Sequence, residues 1–368
     1  MSAVSAPPRL GSVLVIGGCG FLGHHLVSQL VENATATISV ADLSTNANRL
    51  PNVSYYDLDI TSASATKSLL EELHPNVVIH TASPRHNEPR KELLRKVNID
   101  GTTNLLEAAG AAGVKAFVYT SSASVVHDSK SDLAYVDERW PYCRGAAQKE
   151  YYSETKADAE EIVLKANRQY GNMLTVALRP AGIFGEGGAW VVEPMLGAYK
   201  RGLTKWQLGD NTNLWDWTYV GNVAYSHILA AQALLQTSTL TTTPLDHERV
   251  DGEAFNITND SPVPFWDFPR MLWKLSGDKT EPKDTIVLGT GFGMFIGGVL
   301  EWIFWVLGRK PNLSREQVQY STMARYYNIT KAKKRLGYRP IVELEPAIEK
   351  TMNWYHELEK KADEKKDQ

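Results

Sequence analysis

A turn that only glycine permits constrains this chain more than any other feature. GGCGFLG begins at Gly17 and follows the apolar run VLVI directly. Gly17, Gly20 and Gly23 recur every third residue, just where a helix should begin. Each glycine costs a helix roughly 1 kcal/mol against alanine, so three together need a steric reason. A strand that turns tightly into a helix around a pyrophosphate supplies one. The first glycine takes a left-handed step, the second lets backbone approach the phosphates, and the third lets helix pack on strand. Free N–H groups at the helix N-terminus then face the anion.

The rest of the first half repeats that unit. SVLVIG, TISVADL, VSYYDLDI, NVVIHTAS, VKAFVYTSS and MLTVALRP read as strands. FLGHHLVSQLVEN, SASATKSLLEEL, RKELLRKVNIDGTTNLLEAAGAAG and KEYYSETKADAEEIVLKANRQYG read as the helices between them. Apolar strands alternating with helices predict an α/β fold with a doubly wound parallel sheet, the Rossmann arrangement, buried on both faces. This domain is expected over residues 12–182, after a disordered lead at 1–11. From 183 to 356 the rhythm loosens, and tryptophans and Asn/Asp/Thr-rich loops appear. That stretch is expected to form a smaller C-terminal substrate-binding lobe, with elements free to return to the main sheet. The charged tail 357–368 is expected to fray.

Composition narrows the function classes. A net charge of -3 and pI near 6.3 argue against a nucleic-acid partner. Two cysteines, Cys19 and Cys143, make no disulfide framework and fit a reducing compartment. The first residues carry no apolar signal segment. Nothing in the pattern calls for a metal.

Within the expected cleft, Asp42 stands about twenty residues after the glycines, at the end of the second strand. A carboxylate there accepts from ribose hydroxyls and repels a 2′-phosphate, which favours NAD, with NADP possible. Phe21 and Leu22 open the helix of the glycine turn. Asp59, followed by Ile60, is either an adenine neighbour or a loop acid. Thr81, Ala82 and Ser83 end the fourth strand at the cofactor lip. Asn98 is a candidate buried brace.

Tyr152 and Lys156 form Tyr-x-x-x-Lys, one helical turn apart on one face. A phenol is a weak base at neutral pH, but a neighbouring ammonium favours its phenolate. Tyr152 would then take a proton from an alcohol while hydride leaves the carbon. The pattern recurs at Tyr327 and Lys331, where no strand end is in view. Among the serines of TSSASV, Ser122 is the choice for binding the reacting oxygen, with Ser121 and Ser124 as alternatives, since alternation gives only faces. Tyr151 reads as packing.

GGCGFLGHHLV, VVIHTASP, VNIDGTTNLLEAA, VYTSSASVV, YYSETKADAE, LRPAGIFGEG and LWDWTYVGNVAYSHILAA follow in order. Together they resemble the extended short-chain dehydrogenases, and within them the 3β-hydroxysteroid dehydrogenase branch. The likeness runs from about Ser12 to Tyr355 and is strongest to fungal members that oxidise and decarboxylate 4α-carboxysterols in ergosterol synthesis. The resemblance implies Tyr152 as proton acceptor, Lys156 as its partner and Ser122 as third member. It also implies that Pro180, Ala181, Gly182 and Ile183 flank the nicotinamide. Oxidation of a 3β-hydroxyl beside a 4α-carboxylate makes a β-keto acid, which loses carbon dioxide through its enol. A 3β-hydroxysteroid or triterpenoid dehydrogenase of a secondary pathway and a nucleotide-sugar epimerase are the competing readings. After Phe184, GEGGAWVVEP departs from the Gly-Pro-Gly-Asp usual in relatives, so the shape of that loop is open.

Residues 286–307, IVLGTGFGMFIGGVLEWIFWVL, are apolar enough to raise a membrane question. Gly289, Gly293 and Gly297 are spaced by four, as in close-packed membrane helices. Trp302 and Trp305 suit a lipid–water boundary. Insertion into one leaflet is expected rather than a span, against the plainer alternative of a helix pair covering the pocket. The resemblance implies the cytoplasmic face of the endoplasmic reticulum membrane, a sterol substrate, other C-4 demethylation enzymes as partners, and a homodimer.

Overall fold

The computed structural model describes residues 9–33, 36–309 and 313–364. Most of the expected disordered lead lies outside them.

Seven parallel strands make the main sheet: β1 (Gly11–Ile16), β2 (Ala36–Asp42), β3 (Ser54–Asp57), β4 (Val77–His80), β5 (Ala116–Thr120), β6 (Leu174–Pro180) and β7 (Glu253–Ile257). Their spatial order is β7-β6-β5-β4-β1-β2-β3. The chain winds outward from β1 through β2 to β3, then returns to β4 on the other side. The switch lies between β1 and β4, where such sheets open a ligand crevice. Ile16 pairs with Ala41 and with His80, His80 with Tyr119, and Thr120 with Leu178. This register brings Gly17, Asp42, Thr81, Ser121 and Ala181 to one rim.

Helices α1 (Phe21–Glu32) and α5 (Val220–Ser238) cover one face through Leu26, Leu30, Val223 and Leu234. Helices α2 (Ala63–Leu73), α3 (Thr102–Ala111) and α4 (Tyr151–Lys165) cover the other through Leu70, Leu105, Leu106 and Val163. Residues 91–111 were expected as one long helix. They run as Lys91–Arg95, a wider π turn over Lys96–Gly101, then α3.

A third core, around Trp215, Trp217, Phe184, Phe265 and Phe268, belongs to the smaller lobe. The lobes interleave rather than divide at residue 182. β7 and α5 join the main sheet from beyond that point, while Leu133–Val136, from before it, pairs with Arg325–Tyr327 of the smaller lobe. Hydrogen bonding and burial decide this, and neither respects chain order. Of the charged tail, residues 357–364 lie within helix α8 (Leu344–Glu364), where Lys200 pairs with Glu359.

Residues 286–307 split into a short strand, Ile286–Leu288, and helix α6 (Thr290–Val306). Among the described residues no helix is long and apolar enough to cross a membrane. The glycine stripe is used inside the chain: Gly293 and Gly297 are buried where α6 meets α7 (Arg315–Thr322), against Val318 and the backbone of Arg315. Gly289 has nothing near its missing Cβ.

Candidate active site

Gly17 sits at φ +82°, and a Cβ there would lie 2.6 Å from the amide nitrogen of Ala82. A Cβ on Gly23 would collide with the carbonyl of Gly17. Gly17 N donates to Ala41 O at 2.8 Å, and Gly20 N to Gly17 O at 3.1 Å. α1 starts without a side-chain cap, so its first amides are available to an anion. The turn fits a dinucleotide pyrophosphate.

Asp42 faces that turn. Its carboxylate accepts from Cys19 N at 3.0 Å and Leu43 N at 2.8 Å. Burial raises its pKa against these bonds, helped by Asp57. Two bonds leave lone pairs for ribose hydroxyls. Thr81 Oγ1 donates to the carbonyls of Ile16 and Gly17, tying strand ends together, and Ala82 backs Gly17. Phe21 packs its ring against Gly188 and, edge-on, against His25; Leu22 joins the same apolar cluster. Ala181 is buried, its N–H donating to Ile257 O, and Gly182 O accepts from Thr218 N, so Pro180–Ile183 line the rim at the end of β6.

Two expected cofactor neighbours sit differently. Asp59 is exposed and closes a local turn, accepting from Thr61 N at 2.9 Å and Thr61 Oγ1 at 2.8 Å. Ile60 points its side chain into the core against Gly101. These bonds fit the loop-acid alternative and leave the adenine-neighbour one open.

Tyr152 and Lys156 lie on the inner face of α4, but their electrostatics differ from expectation. Lys156 is 2% exposed. Its Nζ donates to the carbonyl of Thr120 at 2.5 Å and rests 4.4 Å from the centre of the Tyr119 ring. Burial pulls its pKa down to about 7, with Glu160 opposing. Burial pushes Tyr152 up to about 12, with the Ser83 hydroxyl opposing. In the ligand-free geometry desolvation dominates, and the expected help from the ammonium is not among the influences on Tyr152. Ser83 Oγ donates to Asn98 Oδ1 at 2.9 Å, and Asn98 Nδ2 to Thr155 Oγ1 at 3.0 Å. The π turn presents Asn98 as a buried brace under the first turn of α4. Tyr151 packs under Lys91.

The three serines separate clearly. Ser121 is buried and gives its proton to Glu160. Glu160 itself is gripped by Arg179 Nη2 at 2.6 Å and Tyr142 Oη at 2.9 Å. Ser124 is buried and accepts from Ser153 Oγ at 2.9 Å, which ties the serine turn to α4. Ser122 is half-exposed, with its hydroxyl 2.8 Å from that of Ser124. Of the three it is the least buried.

Sequence reasoning missed Arg325. Its guanidinium donates to Tyr327 Oη at 3.1 Å and lies 5.4 Å over Trp215. Tyr327 Oη in turn donates to Ala123 O, inside the serine turn, at 3.4 Å. Among the described residues Arg325 forms no ion pair, though the charge of Glu150 acts on it, and its guanidinium covers the buried Trp215 ring. Asp216 holds its strand from both sides: Asp216 N donates to Arg325 O at 2.9 Å, and Asp216 Oδ2 accepts from Tyr327 N at 2.8 Å. The second Tyr-x-x-x-Lys is split, for Lys331 turns away to Glu253 at 2.6 Å. Tyr327 does approach the serine turn, contrary to expectation, because Arg325–Tyr327 pairs with Trp215 and Leu133–Val136. No local motif marks a lone arginine that tertiary pairing delivers.

The model of the 3-beta hydroxysteroid dehydrogenase/isomerase family matches residues 14–288. The chain belongs to that family. It is 40% identical to the decarboxylating sterol-4-alpha-carboxylate 3-dehydrogenase of Saccharomyces cerevisiae, over 95% of this chain and 99% of that one. To the human protein of that name it is 35% identical, over 94% and 88%. Solved structures share the fold: UDP-glucose 4-epimerase of Thermotoga maritima with UDP-glucose superposes at TM-score 0.67, with 22% identity over 94% of this chain and 99% of that one. An NAD complex of the Thermus thermophilus UDP-glucose 4-epimerase gives 0.66, with 22% identity over 94% and 99%. At 22% identity these likenesses show the shared fold.

Proposed function

We propose that the chain oxidises the 3β-hydroxyl of a 4α-carboxysterol to the 3-ketone with NAD, in sterol C-4 demethylation, the carboxylate then leaving as carbon dioxide. The observation that carries the substrate class is Arg325: among the described residues a cation in no ion pair, set on Trp215 and joined through Tyr327 to the serine turn. An apolar ligand with one carboxylate matches that pairing of charge and aromatic surface.

Tyr152 takes the proton of the alcohol, Ser122 donates to its oxygen, and Lys156 places positive charge under the phenol. Gly17, Gly20, Gly23 and Asp42 hold the adenosine half of NAD, which when bound accepts the hydride. The new ketone sits β to the carboxylate, so carbon dioxide departs as the electron pair moves onto the carbonyl oxygen. Ser122 and Tyr152 hold that oxygen as it becomes an enolate. The test is incubation with a 4α-carboxysterol and NAD, following NADH and carbon dioxide together, beside the same sterol lacking the carboxylate. Both products should appear from the first and little NADH from the second. Equal rates from both sterols would overturn the substrate assignment.

The proposal extends to attachment at the cytoplasmic face of the endoplasmic reticulum membrane by insertion of α6. Phe295, Trp302 and Trp305 are 66%, 67% and 77% exposed, on the side away from Gly293 and Gly297. A helix of seventeen residues reaches roughly 26 Å, short of a bilayer core of roughly 30 Å, which suits lying in one leaflet. Wild type should float with liposomes and Phe295→Glu/Trp302→Glu should not; a wild type that stays in the dense fraction would sink the idea. A second copy of the chain and other C-4 demethylation enzymes are proposed partners by family resemblance alone.

A further inference from the structure

Lys156 has an unusual setting for a buried cation. From its own helix it faces Tyr152 and Glu160; from β5, Tyr119 and the carbonyl of Thr120; from β4, His80. His227, behind Thr120, completes the set of titratable neighbours. None of these is a free anion. Glu160 is consumed by Arg179, at 3.0 and 2.6 Å, and by Ser121 and Tyr142. His227 Nδ1 lies 2.7 Å from the Val223 carbonyl, so that nitrogen carries the proton and Nε2 accepts from Thr120 Oγ1 at 2.8 Å. Burial holds His227 near pKa 4 and His80 near 3, so both stay neutral at working pH. Among the described residues no carboxylate forms an ion pair with Lys156.

What remains is the ring of Tyr119, 4.4 Å from the ammonium and 1% exposed. Among the described residues its hydroxyl has no hydrogen-bond partner. A tyrosine there is therefore not held for its O–H, whose burial unpaired is a net cost. Its ring also packs on His80, centroid to centroid 5.5 Å, which fixes its face toward Lys156. We propose that the ring face of Tyr119, together with the carboxylate charge of Glu160, favours the ammonium form of Lys156, making Tyr119 a positioning residue for the catalytic pair. The inference rests on the reading of Tyr152 and Lys156 given above. An aromatic quadrupole attracts a desolvated cation without offering a proton acceptor. A carboxylate in that place would hold the ammonium through a hydrogen bond and draw it from the cleft; a ring leaves its remaining protons free.

The experiment follows Lys156 itself. Its ¹³Cε shift is titrated by NMR in the cofactor-free full-length protein, in wild type, Tyr119→Phe and Tyr119→Leu. Tyr119→Phe keeps the ring and should leave the titration nearly unmoved. Tyr119→Leu should lower the midpoint by roughly half a unit to one unit. An unmoved midpoint in Tyr119→Leu overturns the proposal, as does an equal fall in Tyr119→Phe. Should Tyr119→Leu not fold, pentafluorophenylalanine at position 119 keeps the shape and inverts the quadrupole. A fall in the midpoint then supports the claim and constancy removes it. Turnover of Tyr152→Phe, measured alongside, separates the two levels. If that variant is inactive and Lys156 does not respond to position 119, only this proposal fails. If that variant turns over normally, the catalytic reading itself is lost.

Discussion

Lys156 donates to the main-chain carbonyl of Thr120, at the tip of β5, rather than to a carboxylate. This bond fixes the first two turns of α4 against the strand that leads into Ser122. It also means that the ammonium carries the cost of its own burial. Tyr152, one turn earlier, is made a weaker acid by the same dry surroundings. The reactive pair is thus assembled under electrostatic tension, which ligands entering the cleft can relieve.

Replacing Tyr152 with Phe removes the hydroxyl proposed to take the alcohol proton. kcat should fall by roughly 10²–10⁴, while NAD affinity stays close to wild type, by calorimetry. Because burial raises the phenol to about 12, the oxidation rate of wild type should climb with pH through the neutral range. A flat profile would contradict the base assignment.

Asp42→Ala should weaken NAD by roughly tenfold or more and leave NADP little changed, since the lost carboxylate reads ribose hydroxyls and repels a 2′-phosphate. The ratio of the two dissociation constants is the measurement. An unchanged ratio would mean that Asp42 serves only Cys19 N and Leu43 N.

Lys156 makes stability depend on pH in a definite direction. Its pKa is about 7 folded against 10.5 as the ordinary value. Below about pH 7 the group is charged in both states, and the folded state bears the full desolvation cost. Between about 7 and 10.5 the folded state sheds the proton while the unfolded chain keeps it, so this group's contribution to stability rises with pH. Lys156→Met should therefore be inactive yet melt a few degrees higher near pH 6.5, with the gap narrowing toward pH 10 in thermal unfolding.

Arg325→Gln should cost roughly 10–100-fold in kcat/KM for the carboxysterol, the range for a lost charged hydrogen bond. The loss should fall mainly on KM. A sterol lacking the carboxylate should be handled almost equally by both proteins. Equal losses for both sterols would show that Arg325 supports only Trp215 and Tyr327.

What the residue order determined by itself is local. Gly17 and Gly23 are forced by sterics within a few residues, the apolar runs of β1, β4, β5 and β6 demand burial on both faces, and Tyr152 and Lys156 share a face because α-helices repeat every 3.6 residues. Tertiary structure decided the rest. β7 joins the sheet from residue 253 because β6 offers it an unpaired edge. Ser122 is distinguished from Ser121 and Ser124 only by partners on α4. Arg325 reaches the serine turn through strand pairing across nearly two hundred residues. The direction of the Tyr152 shift also reversed the expectation drawn from spacing. Spacing says which groups are near, but acidity depends on how much water the whole fold has excluded from them, and that is a property of packing in three dimensions.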